Sequence, residues 1–394
     1  MPRRPDVPAY APDIYSAQAV LAPYPHYAKL RELGPVVWLP KHKVYALPRY
    51  AECKAVLLDD KTFTSGEGVA LNPVTNRLSR GTTLNSDGED HLRRRALVAH
   101  RLTPRALRAM EEAVERQAAE IVDAALARRD VDGVDIAEAL PTAVVPDLVG
   151  WPPAPRKNLL SWGAATFDVL GPLNARAAAA TFRGLGVMRF ARGVVRRRSI
   201  LPGSMGDDLL RAADQGEIAR SECPALMIDY LVPSLDTTLS AIASALHLFA
   251  THPGQWQLLK DDPGLIPNAV NEVVRYESPL RAFSRKVAKN TEVAATALPA
   301  GSRVLVLYAS ANRDALEWEK PDTFDIRRDA SRQLGFGRGT HGCAGQGLAR
   351  LEIQAILRAL VTRVEKIVPT GEPEWGLNNI IRRLRRLPLE LVPA

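Results

Sequence analysis

The sequence predicts a mainly α-helical protein with a smaller β-rich part. Helical segments dominate from residue 90 onward, where long stretches carry apolar residues bounded by few breakers. Short apolar runs flanked by turn residues occur near the amino terminus and in the last third. With 394 residues, of which 46% are hydrophobic, the chain is long enough to bury a large single core or two fused subdomains.

Most of the predicted elements are helices, joined by one long loop. Residues 61–86 are rich in Gly, Thr, Ser and Asn and are predicted as a loop of the length that often binds ligands. Helices are expected at 23–34, 51–58, 92–101, 104–129, 136–149, 155–170, 175–198, 207–213, 220–249, 253–261, 265–276 and 345–364. Strands are expected at 36–39, 43–47 and 304–308, and short strands and turns from 367 onward.

The amino terminus and the cysteines exclude several classes of protein. The first residues are polar and lack the apolar run of a signal peptide, and no stretch of about 18 apolar residues is present. The cysteines Cys53, Cys223 and Cys343 are too few and too widely spaced for a disulfide framework or a zinc site. We therefore expect a soluble cytoplasmic enzyme with one domain over residues 1–394 and an extended arm over residues 1–13.

The net charge of +8 raises the question of an acidic partner. The basic residues are spread over predicted helices, and no helix-turn-helix, zinc-finger or aromatic RNA-reading pattern accompanies them. Nucleic acid is therefore the least favoured partner. The alternatives are solvated helix faces, a docking face for an acidic protein, and cations that hold buried anionic groups.

A glycine-rich loop around a cysteine is the strongest chemical signal, with the sequence FGRGTHGCAG over residues 336–345. Glycines let such a backbone turn sharply and lie against a flat object. They are Gly335, Gly337, Gly339, Gly342 and Gly345. Cys343 stands just before a predicted helix, whose amino-terminal dipole stabilises a thiolate. A buried free cysteine or an ordinary glycine turn explains this pattern poorly.

This loop resembles the heme-binding loop of the cytochrome P-450 family, F-x-x-G-x-H-x-C-x-G. Every specified position is matched, by Phe336, Gly339, His341, Cys343 and Gly345. The resemblance implies the cytochrome P-450 fold, with Cys343 as the axial thiolate ligand of the iron of heme b. It also implies that Phe336 shields the sulfur and that His341 lies near a heme propionate. A thiolate ligand pushes electron density onto iron and favours cleavage of the O–O bond.

Four more residues are assigned to the heme by the same resemblance. The pair His91 and Arg95, one turn apart on a predicted helix, resembles the family's H-x-x-x-R and implies two propionate partners. Arg285, ten residues after Arg275, matches a third partner. Gly337 of the cysteine loop is also expected to contact the heme. Each residue alone is equally well explained as an ordinary surface position.

A pair of opposite charges on a predicted helix is a further motif. Glu272 and Arg275 are three residues apart, so they share a helix face. Surface helices hold many such pairs, but this one lies about seventy residues before the cysteine and resembles the family's E-x-x-R motif. In the family the pair meets an arginine from a later segment, and Arg328 is the best candidate. The implied role is structural, on the cysteine side of the fold.

A polar segment, Pro233-Ser234-Leu235-Asp236-Thr237, interrupts a long apolar helix. A carboxylate and hydroxyls in a core helix are costly unless they are hydrogen-bonded or functional. The segment resembles the family's A-G-x-D-T-T motif, which implies that Thr237 and Asp236 are the alcohol and acid that pass protons to dioxygen. Pro233 and Ser234 depart from the motif, and proline removes a backbone donor. We expect Pro233 to fix an opened helix here, altering water access and coupling while oxygen activation stays intact.

The resemblance also locates a substrate cavity. Ordinary core packing is the alternative for each expected lining residue. These residues are Val69, Leu71, Phe167, Leu170, Ser234, Leu235, Leu280 and Phe283. The stretches 167–174 and 277–283 resemble those of bacterial enzymes that hydroxylate or O-demethylate small aromatics. Relatives that act on aromatic acids carry basic and hydroxyl groups in the first loop, for which the candidates here are Arg77, Ser79, Arg80, Thr82 and Thr83.

The predicted function is that of a heme-thiolate monooxygenase, which inserts one oxygen atom of O₂ into a small hydrophobic substrate by hydroxylation or O-demethylation. The sequence has no G-x-G-x-x-G after a strand and no cysteine cluster, so a ferredoxin and its reductase are the expected electron donors. One alternative is a biosynthetic enzyme of the same family, acting on a terpene, steroid, polyketide or peptide or performing oxidative coupling or C–C cleavage. Others are a peroxide-using enzyme and a sensor without turnover, both of which Asp236 and Thr237 disfavour.

Overall fold

The computed structural model describes residues 7–153 and 158–394, and most of them are helical. Residues 1–6 of the predicted arm, and residues 154–157 at the start of one predicted helix, lie outside the described residues. The described part of the arm runs beside the first strand, where Ala9 forms a parallel bridge with Trp38. Among the described residues, no helix combines the length and the apolar composition that crossing a membrane requires.

Long helices form the larger part of the described structure. The helices are α1 (Ala17–Leu21), α2 (Tyr24–Leu33), α3 (Tyr50–Leu58), α4 (Pro73–Leu78), α5 (Gly88–Ala99), α6 (Pro104–Leu126), α7 (Gly133–Val149), α8 (Leu159–Leu170), α9 (Ala175–Arg197), α10 (Met205–Asp214), α11 (Cys223–Thr251), α12 (Pro253–Asp261), α13 (Ile266–Tyr276), α14 (Tyr308–Ala311) and α15 (Gln346–Arg363). Short 3₁₀ turns at His100–Leu102, Pro263–Leu265 and Gly339–His341 connect some of them.

The β-rich part consists of small sheets. The strands are β1 (Val37–Leu39), β2 (Val44–Leu47), β3 (Phe63–Thr64), β4 (Val131–Asp132), β5 (Phe283–Val287), β6 (Thr291–Val293), β7 (Thr296–Leu298), β8 (Arg303–Val306), β9 (Val364–Pro369), β10 (Glu374–Trp375), β11 (Leu384–Arg386) and β12 (Pro388–Pro393). The largest sheet has the order β1-β2-β8-β5-β3, in which β2 and β8 are parallel and the other pairs are antiparallel. A three-stranded sheet has the order β4-β12-β9.

The central element is α11, whose 29 residues are mostly buried and pack against α7, α8, α9 and α15. Pro224 fits the first turn, where no N–H is needed. Pro233 lies in the interior, yet the helix continues through it. The predicted opening of the helix is therefore not observed. Instead, the hydroxyls of Ser234 and Thr237 donate to the carbonyls of Tyr230 and Pro233, four residues back, at 2.7 and 2.6 Å.

The predicted elements and the observed ones differ at a few boundaries. The predicted 61–86 loop contains β3 and the six-residue helix α4, which starts because Pro73 fits its first turn and the side chain of Asn72 accepts from Thr75 N. The strand predicted at 304–308 ends at Val306, and Tyr308 begins α14. The helix predicted at 345–364 ends one residue earlier, because the chain continues directly into β9.

Candidate active site

The glycine-rich loop holds Cys343 at the start of α15. The loop is closed by backbone hydrogen bonds, including Cys343 N to Phe336 O at 2.8 Å. Gly337 and Gly339 have φ angles of +67° and +68°. A Cβ on Gly339 would lie 2.6 Å from the carbonyl oxygen of Leu57, so glycine is required for α3 to lie this close.

The thiol of Cys343 faces a cavity and is accessible from it. Burial among protein atoms raises the pKa of the Cys343 thiol, while the backbone N–H groups of Gly345 and Gln346 and the cations Arg95 and Arg350 act in the opposite direction. The two backbone N–H groups and the two cations therefore favour the thiolate form of Cys343. A metal ion bound to the sulfur would remove the remaining proton outright.

The cavity in front of Cys343 has a volume of about 1,220 Å³ and a mainly apolar wall. Pockets for single small ligands usually measure roughly 300–1,000 Å³, so this cavity has room for more than one small ligand. The amino-terminal half and the centre of α11, the cysteine loop, α8, α9 and the start of β5 all contribute to its wall. The space therefore fits a flat cofactor against the glycine loop together with a second molecule.

Four basic residues face the cavity where a cofactor with carboxylate groups would need them: His91, Arg95, Arg285 and His341. Arg95 donates to the carbonyl of Thr340 at 3.0 Å, and Arg285 donates to the carbonyl of Ser284 at 2.9 Å. Within the described ranges neither arginine forms an ion pair, and the buried Nδ1 of His341 has no hydrogen-bond partner. Unpaired cations and an unpaired ring nitrogen are the partners that heme propionates take. Arg95, Arg285 and His341 therefore fit the group, whereas both ring nitrogens of His91 already face backbone carbonyls.

His91 is buried between the first loop and the cysteine loop. Its ring nitrogens lie 2.9 Å from the carbonyl of Thr83 and 3.2 Å from that of Thr340. His341 approaches the carboxylate of Asp87 at 3.3 Å, and Asp87 also accepts from the backbone of residues 65 and 66. These bonds fix the histidines by tying the long loop to the cysteine loop.

The motif on α11 is divided between two faces of the helix. Ser234 and Thr237 line the cavity, and the spacing of three residues places them on one face. Asp236 lies on the opposite face, where it is fully buried and receives a hydrogen bond from Arg383 Nη1 at 2.8 Å. Burial raises the pKa of Asp236 to about 6, and Arg383 acts in the opposite direction. Arg383 is a partner that the sequence analysis missed.

The charged motif on α13 forms a buried cluster of three residues. Arg275 donates from Nε and Nη2 to the two carboxylate oxygens of Glu272 at 2.6 and 2.8 Å. Arg328 Nε donates to Glu272 Oε1 at 3.3 Å, as the resemblance implies. Arg275 also donates to the carbonyls of Asn312 and Pro321, so the cluster ties α13 to the segment before the cysteine loop.

Some of the residues predicted for the substrate cavity line it and others do not. The lining residues are Phe167, Leu170, Ser234, Leu280 and Phe283. Among the described residues, three predicted positions lie outside the cavity wall: Val69, Leu71 and Leu235. Leu235 points from the other face of α11 into the core, while Val69 is held behind the wall because its backbone bonds to Asn85 and Ser284. Leu71 packs with the amino-terminal cluster around Tyr27 and Leu30.

The first loop contributes polar groups to the cavity. Ser79, Arg80, Thr82 and Thr83 line it, whereas Arg77 does not. The carboxylate of Asp229 on α11 accepts from Thr83 N at 2.5 Å and also faces the cavity. Burial raises the pKa of Asp229 to about 7.

Glu352 on α15 is a second acid in the cavity wall that the sequence analysis missed. It is fully buried, and neither carboxylate oxygen has a hydrogen-bond partner within the described ranges. Burial raises its pKa to about 8. A signal was present in the sequence, because position 352 shares a helix face with Gly345, Leu348 and Ala349, which also line the cavity.

A helical fold that presents one cysteine to a large apolar cavity, with cations in its wall that form no ion pair among the described residues, has the features expected of a heme-thiolate protein. The family model described as Cytochrome P450 matches residues 264–381 of this chain. That range includes the buried charge cluster and the cysteine loop. A cytochrome P-450 of Rhodopseudomonas palustris is 36% identical over 98% of this chain and 95% of its own length. The chain therefore belongs to the cytochrome P-450 family.

Two further comparisons agree. The vitamin D(3) 25-hydroxylase of Pseudonocardia autotrophica is 31% identical over 97% of this chain and 96% of its own length. The structure of cytochrome P-450 CREJ in complex with (4-ethylphenyl) dihydrogen phosphate has a TM-score of 0.87 and 26% identity, covering 94% of this chain and 98% of that one. The protein is thus a monooxygenase of this family that uses heme b, O₂ and an organic substrate.

Proposed function

We propose that the substrate is a small hydrophobic molecule of aromatic type, which the enzyme hydroxylates or O-demethylates. The observation that carries this proposal is the apolar wall formed by Phe167, Leu170, Leu280 and Phe283. Aromatic and aliphatic side chains of this kind favour a compact apolar ligand with few polar groups. The aromatic ligand of the CREJ structure supports the same class.

The second candidate is a larger natural product. Its support is the cavity volume of about 1,220 Å³ together with the name of the vitamin D(3) hydroxylase relative. The two candidates are separated by titrating the ferric enzyme with small aromatics, terpenes and steroids. A substrate that binds beside the heme would shift the heme absorption toward high spin. We expect small aromatics to give the shift. If none of the small aromatics tested gives it, the aromatic proposal is contradicted.

We propose that a ferredoxin and its reductase supply the electrons. The net charge of +8 suits an acidic donor, because opposite charges steer association and orient the encounter.

We also propose that Cys343 is the axial ligand and that His91, Arg95, Arg285 and His341 hold the propionates. Replacing Cys343 by Ser should abolish the thiolate absorption signature of the reduced carbon monoxide complex while the far-ultraviolet circular dichroism stays helical.

Heme, when bound, supplies the activation of O₂, and the chain supplies protons and an apolar surrounding. We propose that Thr237 delivers a proton through its hydroxyl, which lies in the cavity wall and at present donates to Pro233 O. Asp236 is buried behind it and paired with Arg383. In this proposal the side chain of Asp236 rotates away from Arg383 and returns a proton to the hydroxyl of Thr237. The strength of the contact with Arg383 then determines how readily Asp236 rotates.

Replacing Thr237 by Ala tests the relay. A positioned acid–base group usually contributes about 10²–10⁴-fold, so product formed per NAD(P)H consumed should fall at least about tenfold. Peroxide release should rise, and the high-spin shift with substrate should remain. The matched control is Ser244→Ala, which removes a buried hydroxyl of the same helix outside the cavity wall. Unchanged coupling in the Thr237 variant would remove Thr237 from the relay.

A further inference from the structure

The helix α9 carries an unusual charge. Its 23 residues include no Asp, Glu or Lys and six arginines. They are Arg176, Arg183, Arg189, Arg192, Arg196 and Arg197. The net charge of the whole chain is +8, so the positive charge of this one helix is almost as large as the net charge of the entire protein.

Four of these arginines surround the outer part of the active-site cavity, which we term the arginine mouth: Arg189, Arg192, Arg196 and Arg197. Their spacing of three and four residues places the first three on one face of α9. All four are exposed, and none of them forms an ion pair with another described residue. The neighbouring Arg198, in contrast, is paired with Asp214 at 2.6 Å.

Exposed apolar side chains line the same cavity as the arginine mouth. Leu78 of α4 and Leu185 of α9 line the same cavity although they are 76% and 62% exposed. Exposed large apolar side chains grouped at a cavity usually mark a contact with a ligand or partner. Cations next to apolar groups are the combination that binds an amphiphile with an acidic end.

The buried part of the cavity differs, because the cations that it holds, Arg95, Arg285 and His341, are the ones assigned to the heme propionates. Its wall carries the carboxyls Asp229 and Glu352 and the apolar residues around Phe283. With those cations taken by the propionates, an anionic group of the substrate placed there would face buried acids, whereas an apolar group would face aliphatic and aromatic side chains. The cavity therefore sets the orientation of an amphiphile, with its charged end outward.

We propose that the arginine mouth binds the carboxylate of a substrate whose aromatic or aliphatic body extends inward toward Cys343. Arginine suits this role because its planar guanidinium donates two parallel hydrogen bonds to a carboxylate. Substrate oxidation then occurs at the end remote from the carboxylate. This proposal rests on the proposed hydroxylation of apolar substrates and narrows it to acids.

The test compares ω-phenyl fatty acids of increasing chain length with their methyl esters. Binding to the ferric holoenzyme is followed by the high-spin shift. We expect one acid to bind about tenfold more tightly than its ester, and the preference to decline as salt is added, since exposed charges are screened. In the double variant Arg189→Gln, Arg192→Gln the ratio of acid to ester affinity should fall toward one.

Two matched controls lie on or beside the same helix. Arg183 is exposed but does not line the cavity, and Arg198 is occupied by Asp214, so Arg183→Gln and Arg198→Gln should keep the acid preference. Equal affinity for acids and esters in the wild type would overturn the inference and leave the proposed function intact. A shift from neither acids nor esters, nor from neutral aromatics, would instead contradict the proposed function.

A surface for anionic lipid is the competing explanation of the same charges. Cosedimentation with phosphatidylglycerol vesicles distinguishes the two. Vesicle binding that depends on Arg189 and Arg192, without any acid preference in the titration, would overturn the substrate inference. An acid preference that persists in the absence of vesicles and disappears in the double variant supports it.

Discussion

Glu352 is a buried acid whose carboxylate has no hydrogen-bond partner among the described residues. Burial raises its pKa to about 8 from its usual 4.5. The unfolded chain ionises this group at lower pH than the folded protein does, so the folded state loses stability as the pH rises from about 4.5 to about 8. Each pKa unit corresponds to about 1.4 kcal/mol, so the loss should amount to a few kcal/mol at most.

Replacing Glu352 by Gln should therefore flatten the pH dependence of the free energy of unfolding. The measurement is urea unfolding of wild type and variant between about pH 5 and about pH 8. A buried amide adds a constant cost, so the informative quantity is the slope and not the absolute stability. Glu120→Gln on α6, where the side chain is exposed, should leave the slope unchanged. Equal slopes for Glu352→Gln and wild type would contradict the prediction.

The roles of single residues could be predicted only in part. The sequence motif identified both Thr237 and Asp236, but the helical period shows that they face in different directions. The same period explains why Ser234 lines the cavity and Leu235 does not. Arg383 could not be predicted as the partner of Asp236, since 147 residues separate them and the contact depends on how the carboxyl-terminal strands fold back.

At the scale of elements, α11 contains a proline that leaves one carbonyl without its usual donor. The ring of Pro233 cannot supply an N–H to the carbonyl of Asp229. Replacing Pro233 by Ala should restore that bond and raise the free energy of unfolding by up to about 3 kcal/mol. Ser234 and Thr237 lie within the next turn of α11 and line the cavity, so a change of the helix at residue 233 should also change the product formed per NAD(P)H.

The same helix provides the control for that variant. Pro224 lies in the first turn of α11, where no N–H is required, so Pro224→Ala should change stability little. Urea unfolding and product yields are measured on both variants. If Pro233→Ala and Pro224→Ala behave alike, the interior proline has no special effect on α11.

The buried cluster that joins α13 to Arg328 makes a second element-scale prediction. Glu272→Gln leaves Arg275 buried without its carboxylate, and breaking such a pair typically costs about 3–5 kcal/mol. Heme retention should fall with it, because the cluster ties α13 to the segment before the cysteine loop. Glu32→Gln removes one partner of the exposed pair Lys29–Glu32 and should change the free energy of unfolding little. Similar losses in the two variants would contradict this assignment.

Elements were predicted well where their signals are local. The hairpin β1–β2 and the helices α6, α9, α11 and α12 follow from periodic apolar residues and clear breakers. β3 and α4 were missed because a two-residue strand or a six-residue helix has too few residues for a period, and β5 was missed because three polar residues separate Phe283 from Val287. The positions of β3 and β5 depend on pairing with distant strands, as when Phe63 of β3 pairs with Val287 of β5.

At the scale of the whole molecule, the fold was predictable because motifs spaced along the chain agreed with one another. The cysteine loop, the α13 pair and the α11 segment appear in the family's order, and in the structure they surround or support one cavity. The arginine mouth was not predicted. Its residues were visible as basic runs, but only the packing of α9 over the cavity distinguishes them from an ordinary solvated face.

The charge of the molecule makes the last prediction. With a net charge of +8, reduction by an acidic ferredoxin should be steered electrostatically, so the second-order rate constant should fall about tenfold or more between low and high salt. Stopped-flow reduction of the substrate-bound ferric enzyme measures this rate. Reduction by a neutral photochemical donor is the control, since an uncharged donor gains nothing from the field. A ferredoxin rate that is as insensitive to salt as the control rate would show that the positive surface does not guide the electron donor.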